Sequence, residues 1–178
     1  MTNRVVISTY KDGLLARLAH DLQIRCRSFT VVRRGEQLEA RFMLASLQVD
    51  GAVERGAVAP GVLSDGDRRK IEQTMAQDVL EVRRFPEATL AGTIRRSGAC
   101  VTIDGPTLTL HGQTVTLAPL AVQRRDAHWV VETTLTPTRW GIAPYRALAG
   151  ALKLQDRVAI RVELTADRGD DGDATWSA

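Results

Sequence analysis

The sequence predicts a mainly β fold: an antiparallel barrel of about eight strands with one amphipathic helix and one short helix. Three observations predict it. Several runs alternate apolar and polar residues with a period of two, which suits a sheet with one wet face. Turn pairs such as Ser97-Gly98 and His111-Gly112 join these runs over short distances. Two runs switch the parity of their apolar positions midway, as strands do at a bulge or corner, and a closing barrel needs corners.

The elements follow in order. Residues 5–9 open the chain as a strand. Residues 11–20 place Leu14, Leu15 and Leu18 at helical spacing, which predicts the short helix. Within residues 22–32 the apolar positions Leu22, Ile24 and Cys26 are even, and Phe29 and Val31 are odd. Residues 40–49 repeat the switch, with Phe42 and Leu44 even and Leu47 and Val49 odd. Residues 51–66 hold four glycines and one proline and read as a connector with enough freedom for a lid. Residues 64–84 start with Ser64 and Asp67, a Ser-x-x-acid cap, and Ile71, Met75, Val79 and Val82 form one apolar face. This amphipathic helix of about four turns stops before Phe85-Pro86, because the residue before a proline avoids the helical region.

Strands resume with Leu90, Gly92 and Ile94, then Val101 and Ile103. Residues 107–117, TLTLHGQTVTL, read as strand, tight turn and strand. Trp129, Val131 and Leu135 alternate with His128, Glu132 and Thr134. Val158, Ile160, Val162 and Leu164 oppose Arg157, Arg161 and Glu163 in the clearest alternation of all. Residues 1–167 are therefore expected to form the barrel domain, and the Gly/Asp-rich residues 168–178 a disordered tail.

Composition narrows the function classes. No run approaches a membrane span, and the first residues carry no apolar h-region. A cytoplasmic chain is expected, or a periplasmic one if a signal has been removed. Cys26 and Cys100 sit in separate strand runs with no zinc-like spacing, so two buried, reduced thiols are expected and a single disulfide stays open. The net charge is +3, and arginines recur in pairs: 33-34, 68-69, 83-84, 95-96 and 124-125. Acidic residues are interleaved and aromatics are scarce, so the pairs are expected to be solvated surface and not a nucleic-acid interface.

Candidate chemistry is sparse. His20 beside Asp21 has the residue types of a general base with an orienting carboxylate, yet adjacent residues rarely face each other, and Asp21 serves equally well as a corner cap. His111-Gly112 fits a two-residue turn, since His tolerates positive φ better than most residues. His128 falls on the wet face of its strand. Three histidines without shared spacing make no metal site, and there is no nucleophile elbow, phosphate loop or cofactor signature. Trp140 and Tyr145 flank a Gly-Ile-Ala-Pro turn whose aromatic bodies and polar tips suit either the mouth of an apolar cavity or a plug at one end of the core.

These pieces in this order resemble the YceI-like family. The likeness runs over about residues 3–165. It is carried by Lys11-Asp12-Gly13-Leu14-Leu15, Ala19-His20-Asp21-Leu22, Ala45-Ser46-Leu47-Gln48-Val49, Asp78-Val79-Leu80, Phe85-Pro86-Glu87, Leu108-Thr109-Leu110-His111-Gly112 and Trp140-Gly141-Ile142-Ala143-Pro144. The chain looks closest to the branch with the Ala-His-Asp-Leu motif. The resemblance implies a lipocalin-like barrel holding a polyisoprenoid, prenyl-quinone or similar lipid, with no catalysis and no cofactor.

On this reading Leu14, Leu18, His20, Leu47, Val79, Leu80, Trp140, Ile142 and Tyr145 line the ligand site, with His20 near the mouth. The expected partner is an apolar, lipid-like small molecule, and a homodimer stays open. Two rivals stand beside it. One is a small hydrolase or isomerase using His20 and Asp21 as an acid-base pair. The other is an interaction module with a basic surface.

Overall fold

A computed structural model of the chain describes residues 2–12, 20–147, 152–166 and 172–178. The strands are β1 (Arg4–Asp12), β2 (Asp21–Cys26), β3 (Phe29–Arg34), β4 (Gln37–Met43), β5 (Leu47–Glu54), β6 (Ala57–Val58) and β7 (Glu87–Ser97). They continue as β8 (Cys100–Leu110), β9 (Gln113–Thr116), β10 (Leu120–Arg125), β11 (His128–Leu135), β12 (Arg146–Ala147), β13 (Leu152–Thr165) and β14 (Ala174–Ser177). The helix α1 (Asp65–Thr74) lies between β6 and β7. Every pairing is antiparallel, and the main order is β14-β3-β4-β7-β8-β10-β11-β13-β1-β2-β5-β6.

That order curls into a barrel at one corner. β2 and β3 are successive halves of one bent strand, and β4 and β5 of another. The lower halves pair as β2 with β5, and the upper halves as β3 with β4. β2 also pairs with β1, while β4 pairs with β7, so the two bent strands join both flanks of the sheet. At the bend, Arg27 N–H donates to Ser46 O at 3.1 Å and Met43 N–H to Ser28 O at 3.0 Å, which keeps the ladder connected. These are the two parity switches that the sequence marks. Counting each bent strand once, the ring has about eight strands, the size at which an interior either fills with side chains or holds one small ligand.

A third switch lies in β8. Ala91 faces Thr107 and Thr93 faces Asp104, so β8 carries an extra residue at Gly105-Pro106. Gly105 has φ +55°, and Pro106 is fully buried. A proline inside a strand is tolerated at such a bulge. The bulge turns Val101 and Ile103, and then Leu108 and Leu110, to the same inner face.

Several expectations change. Lys11 and Asp12 end β1 instead of starting a helix, and residues 13–19 lie outside the described residues. The glycine-rich stretch is partly ordered: Arg55-Gly56, both at positive φ, turn β5 back into β6. The helix after Ser64 has the expected capping box with Asp67, but it ends at residue 79 and not at 84. Its last turn, Met75–Val79, is π-helical, with Leu80 N–H reaching Met75 O and Val82 N–H reaching Ala76 O. The wider turn exhausts the helix early, and Glu81 then leaves it at φ +46°.

The expected tail is also revised. Residues 174–177 form β14 on the free edge of β3, because Trp176 buries its ring in the core and donates from Nε1 to Thr165 O at 2.8 Å. Both cysteines are free: Cys26 is buried as expected, whereas Cys100 is exposed, one residue out of phase with the inward Val101.

The outer face of β1, β13, β11 and β10 carries an ion-pair chain from Arg4 through Glu163 and Arg161 to Glu132 and Arg125. Glu163 is the buried member, and its hydrogen bond from Arg4, with a second from Arg161, holds its carboxyl below the ordinary 4.5. A carboxylate with a depressed folded pKa stabilises the fold above its unfolded value and loses that contribution as pH falls through the folded one. Glu163→Gln should therefore be less stable than the parent near neutrality, with the gap narrowing as pH drops below 4.5. Urea melts at stepped pH check this.

Candidate functional site

The interior is a cavity of about 630 Å³, lined almost wholly by aliphatic and aromatic side chains. Its walls follow from strand alternation. In β13, Val158, Ile160, Val162 and Leu164 face inward, and β11 adds Trp129, Val131, Thr133 and Leu135. Register sets these residues side by side: Ile24 of β2 faces Ile7 of β1, Ile7 faces Ile160 of β13, and Ile160 faces Thr133 of β11. This belt crosses the middle of the barrel. Ile7, Ile160 and Thr133 are only half-buried although they line the inner face.

Two apolar clusters flank the space. Phe29, Val31, Cys26, Val5 and Trp176 pack at the end reached by the β3–β4 turn. Trp140, Ile142, Leu44, Ala88 and Leu108 pack toward the helix. Trp140 has no exposure at all, and its Nε1 donates to Leu108 O at 3.0 Å, which satisfies the only polar atom of the ring. The 3₁₀ turn Pro137–Trp140 delivers it, and Gly141 at φ +72° reverses the chain behind it. Trp140 is thus both plug and wall.

The structure brings most of the sequence-predicted site residues together. His20, Leu47, Val79, Leu80, Trp140, Ile142 and Tyr145 all line the cavity, while Leu14 and Leu18 lie outside the described residues. Lys70 and Met75 of the helical segment also line the cavity, and α1 is tied to β5 by Val49 N–H donating to Glu72 Oε1 at 2.7 Å. Among the described residues the buried Thr9 Oγ1 has no hydrogen-bond partner, and Thr9 also borders the cavity.

The residues of the acid-base rival are not arranged as a pair. Asp21 Oδ1 accepts from Lys11 N–H at 2.9 Å, fastening the ends of β1 and β2, and no hydrogen bond joins it to His20 among the described residues. His111 occupies its turn at φ +50°, followed by Gly112 at φ +74°, and stays outside the cavity. Its ring is covered, however: Phe85 packs at 4.4 Å, and Nε2 lies 3.3 Å from Glu81 Oε1 without the alignment of a hydrogen bond. A Cβ on Gly112 would meet the Phe85 ring at 2.7 Å, so this turn is fitted to the segment that follows the helix. No cluster of three or more His, Cys, Asp or Glu with metal-site geometry occurs among the described residues. No helix there is long and apolar enough to cross a membrane.

Sequence reasoning missed the central belt of Ile7, Ile24, Ile160 and Thr133, although its signal was present in the alternation of β1, β2, β11 and β13. It also missed Arg33 and Arg96, which line the cavity. Their signal was the arginine pairs at strand ends, where alternation forces one member of each pair to face inward.

Comparisons with known proteins agree with this geometry. A sequence profile described as the YceI-like domain matches residues 22–166. Burkholderia cenocepacia BcnA has a similar structure, with a TM-score of 0.60 and 16% identity over 93% of this chain and 96% of that one. A polyisoprenoid binding domain from Saccharophagus degradans, implicated in plant cell wall breakdown, aligns with a TM-score of 0.60 and 15% identity over 93% and 94%. No curated protein matches the sequence.

Trp140→Ala should lower the unfolding free energy by about 3–5 kcal/mol. Trp140→Phe, which removes the donor to the Leu108 carbonyl, should cost about 1–3 kcal/mol. Urea titration of the two variants measures both.

Proposed function

Because the chain belongs to the YceI-like family, we propose that its barrel binds a long apolar ligand along the interior and carries it unchanged. The ligand class is a polyisoprenoid, a prenyl-quinone or a similar lipid. The observation that carries this reading is the apolar cavity of about 630 Å³. A volume of that size lies within the range of small-molecule sites. An unbranched or prenyl chain gains about 0.8 kcal/mol for each CH₂ it removes from water. Affinity can therefore accumulate along the chain without a polar contact, which suits walls made of Leu, Ile and Val.

The helix end is the natural mouth. α1 and the 140–145 turn border it, His20 and Tyr145 offer polar tips there, and Tyr145 remains 37% exposed. The structurally similar Saccharophagus degradans domain is described as polyisoprenoid binding, which favours this ligand class. The acid-base rival has no comparable support, since the Asp21 carboxylate is engaged by the backbone.

Native mass spectrometry of gently purified protein should show added lipid mass, and the delipidated protein should take up radiolabelled geranylgeraniol. Ile160→Trp places an indole in the central belt, where there is room for it, and should reduce uptake at least about tenfold while leaving the fold intact. Absence of uptake, or unchanged uptake by Ile160→Trp, would contradict the proposal.

A further inference from the structure

One stretch of the wall is closed without a strand ladder. β5 pairs with β2 along one edge, but on its other edge it meets β6 only opposite Val53 and Glu54, and the order of the sheet ends there. Among the described residues no strand lies beside the earlier part of that edge, and α1 packs against β5 instead. The attachment is slight. Ala59 N–H donates to Ala52 O before the helix, and Pro86 O accepts from Leu44 N–H after it. Between these two anchors, Val49 N–H donating to Glu72 Oε1 at 2.7 Å is the one hydrogen bond from residues 60–85 to the rest of the protein among the described residues.

Packing divides this segment in two. Val79, Leu80 and Val82 rest on the Trp140 cluster, and Phe85 packs on His111. By contrast α1 contains no buried residue. Leu63, Ile71 and Met75 are half-buried, belong to neither apolar cluster, and line the cavity. They therefore cover the empty space more than they pack against other side chains. Segments with few buried apolar contacts open at low cost, whereas opening the ring between two paired strands would break a ladder. Backbone at positive φ marks both ends of the covering piece, with Gly61 at +79° before it and Glu81 at +46° after the π-helical turn.

We propose that α1 is the gate of the cavity. It swings off the free edge of β5 about Gly61 and the 75–81 turn, admits the apolar chain through the gap it leaves, and folds Ile71 and Met75 back over it. The Glu72–Val49 bond is the latch of the closed state. A latch made in the closed state with or without ligand controls how often the gate opens, so it sets both the uptake and the release rate and leaves their ratio nearly unchanged. The inference rests on the reading of the cavity as a lipid site and adds the route by which the lipid enters.

The test follows uptake and release of geranylgeraniol, delivered from cyclodextrin, by the tryptophan fluorescence of the full chain. Glu72→Ala should speed both rates by about tenfold or more, since a hydrogen bond to a charged acceptor is lost, with Kd changed less than about twofold. Glu72→Gln keeps an acceptor and should fall between that variant and the parent. Hydrogen exchange of the parent supplies a second readout: the amides of α1 should exchange before those of β2 and β13, and saturation with geranylgeraniol should slow them. Unchanged rates in Glu72→Ala overturn the gate, as does a weaker Kd without faster uptake, which would make Glu72 part of a fixed wall. Exchange in α1 as slow as in β2 and β13, or indifferent to ligand, also overturns it, and this comparison decides the matter even if Glu72→Ala does not fold. Each of these outcomes leaves the lipid site intact, whereas a parent that takes up no geranylgeraniol overturns both.

Discussion

The Ser46 hydroxyl donates to Met43 O at 2.7 Å and accepts from the Ser28 amide at 2.9 Å, while Cys26 Sγ sits 3.4 Å away. This small polar cluster holds both bent strands where they turn, in the space between β2/β3 and β4/β5. Without the bend, β2 and β4 would lie in one open sheet with β1 and β7 on distant edges. With it, the two flanks meet and the apolar faces of all strands turn toward one another. The corner thus decides that there is an interior at all, and a hydroxyl is needed because the bend interrupts the regular ladder and leaves backbone groups that require partners.

What fills that interior is decided by side-chain size. The large rings lie toward the two ends: Trp176 and Phe29 pack in one cluster, and Trp140 in the other. The middle is built from Ile, Val, Leu and Thr, which stop short of the opposite wall. Closely packed protein cores leave few voids larger than a water molecule. A cavity of about 630 Å³ therefore forgoes substantial packing energy. The fold tolerates that loss because the ends are well packed and the strands are paired around the ring. An apolar ligand would restore the missing contacts, which links the stability of the barrel to its occupancy.

Much of this is legible in the sequence. The parity switches after Cys26 and after Leu44 mark the corner from residue pattern alone, and the alternation of residues 157–164 assigns the inner face of the longest strand. The limits are physical. The switch at Gly105-Pro106 falls between two runs that each look regular, so the bulge is hidden. The helix ends early because a π-helical turn spends an extra residue per hydrogen bond, which composition does not announce. Residues 174–177 look like a solvated tail, and it takes the tertiary contact of Trp176 to order them. For the site, the residues with distinctive local motifs, such as His20, Leu47 and Trp140, can be picked out, whereas the Ile7–Ile160 belt is a product of cross-strand register.

An open apolar interior that takes a single chain lengthwise is best tested by a crystal structure of the delipidated protein saturated with geranylgeraniol. Continuous elongated density inside the ring, touching Ile7, Ile24 and Ile160, is the expected outcome. An interior filled by rearranged side chains, with the ligand absent or bound only on the outer face, would refute it.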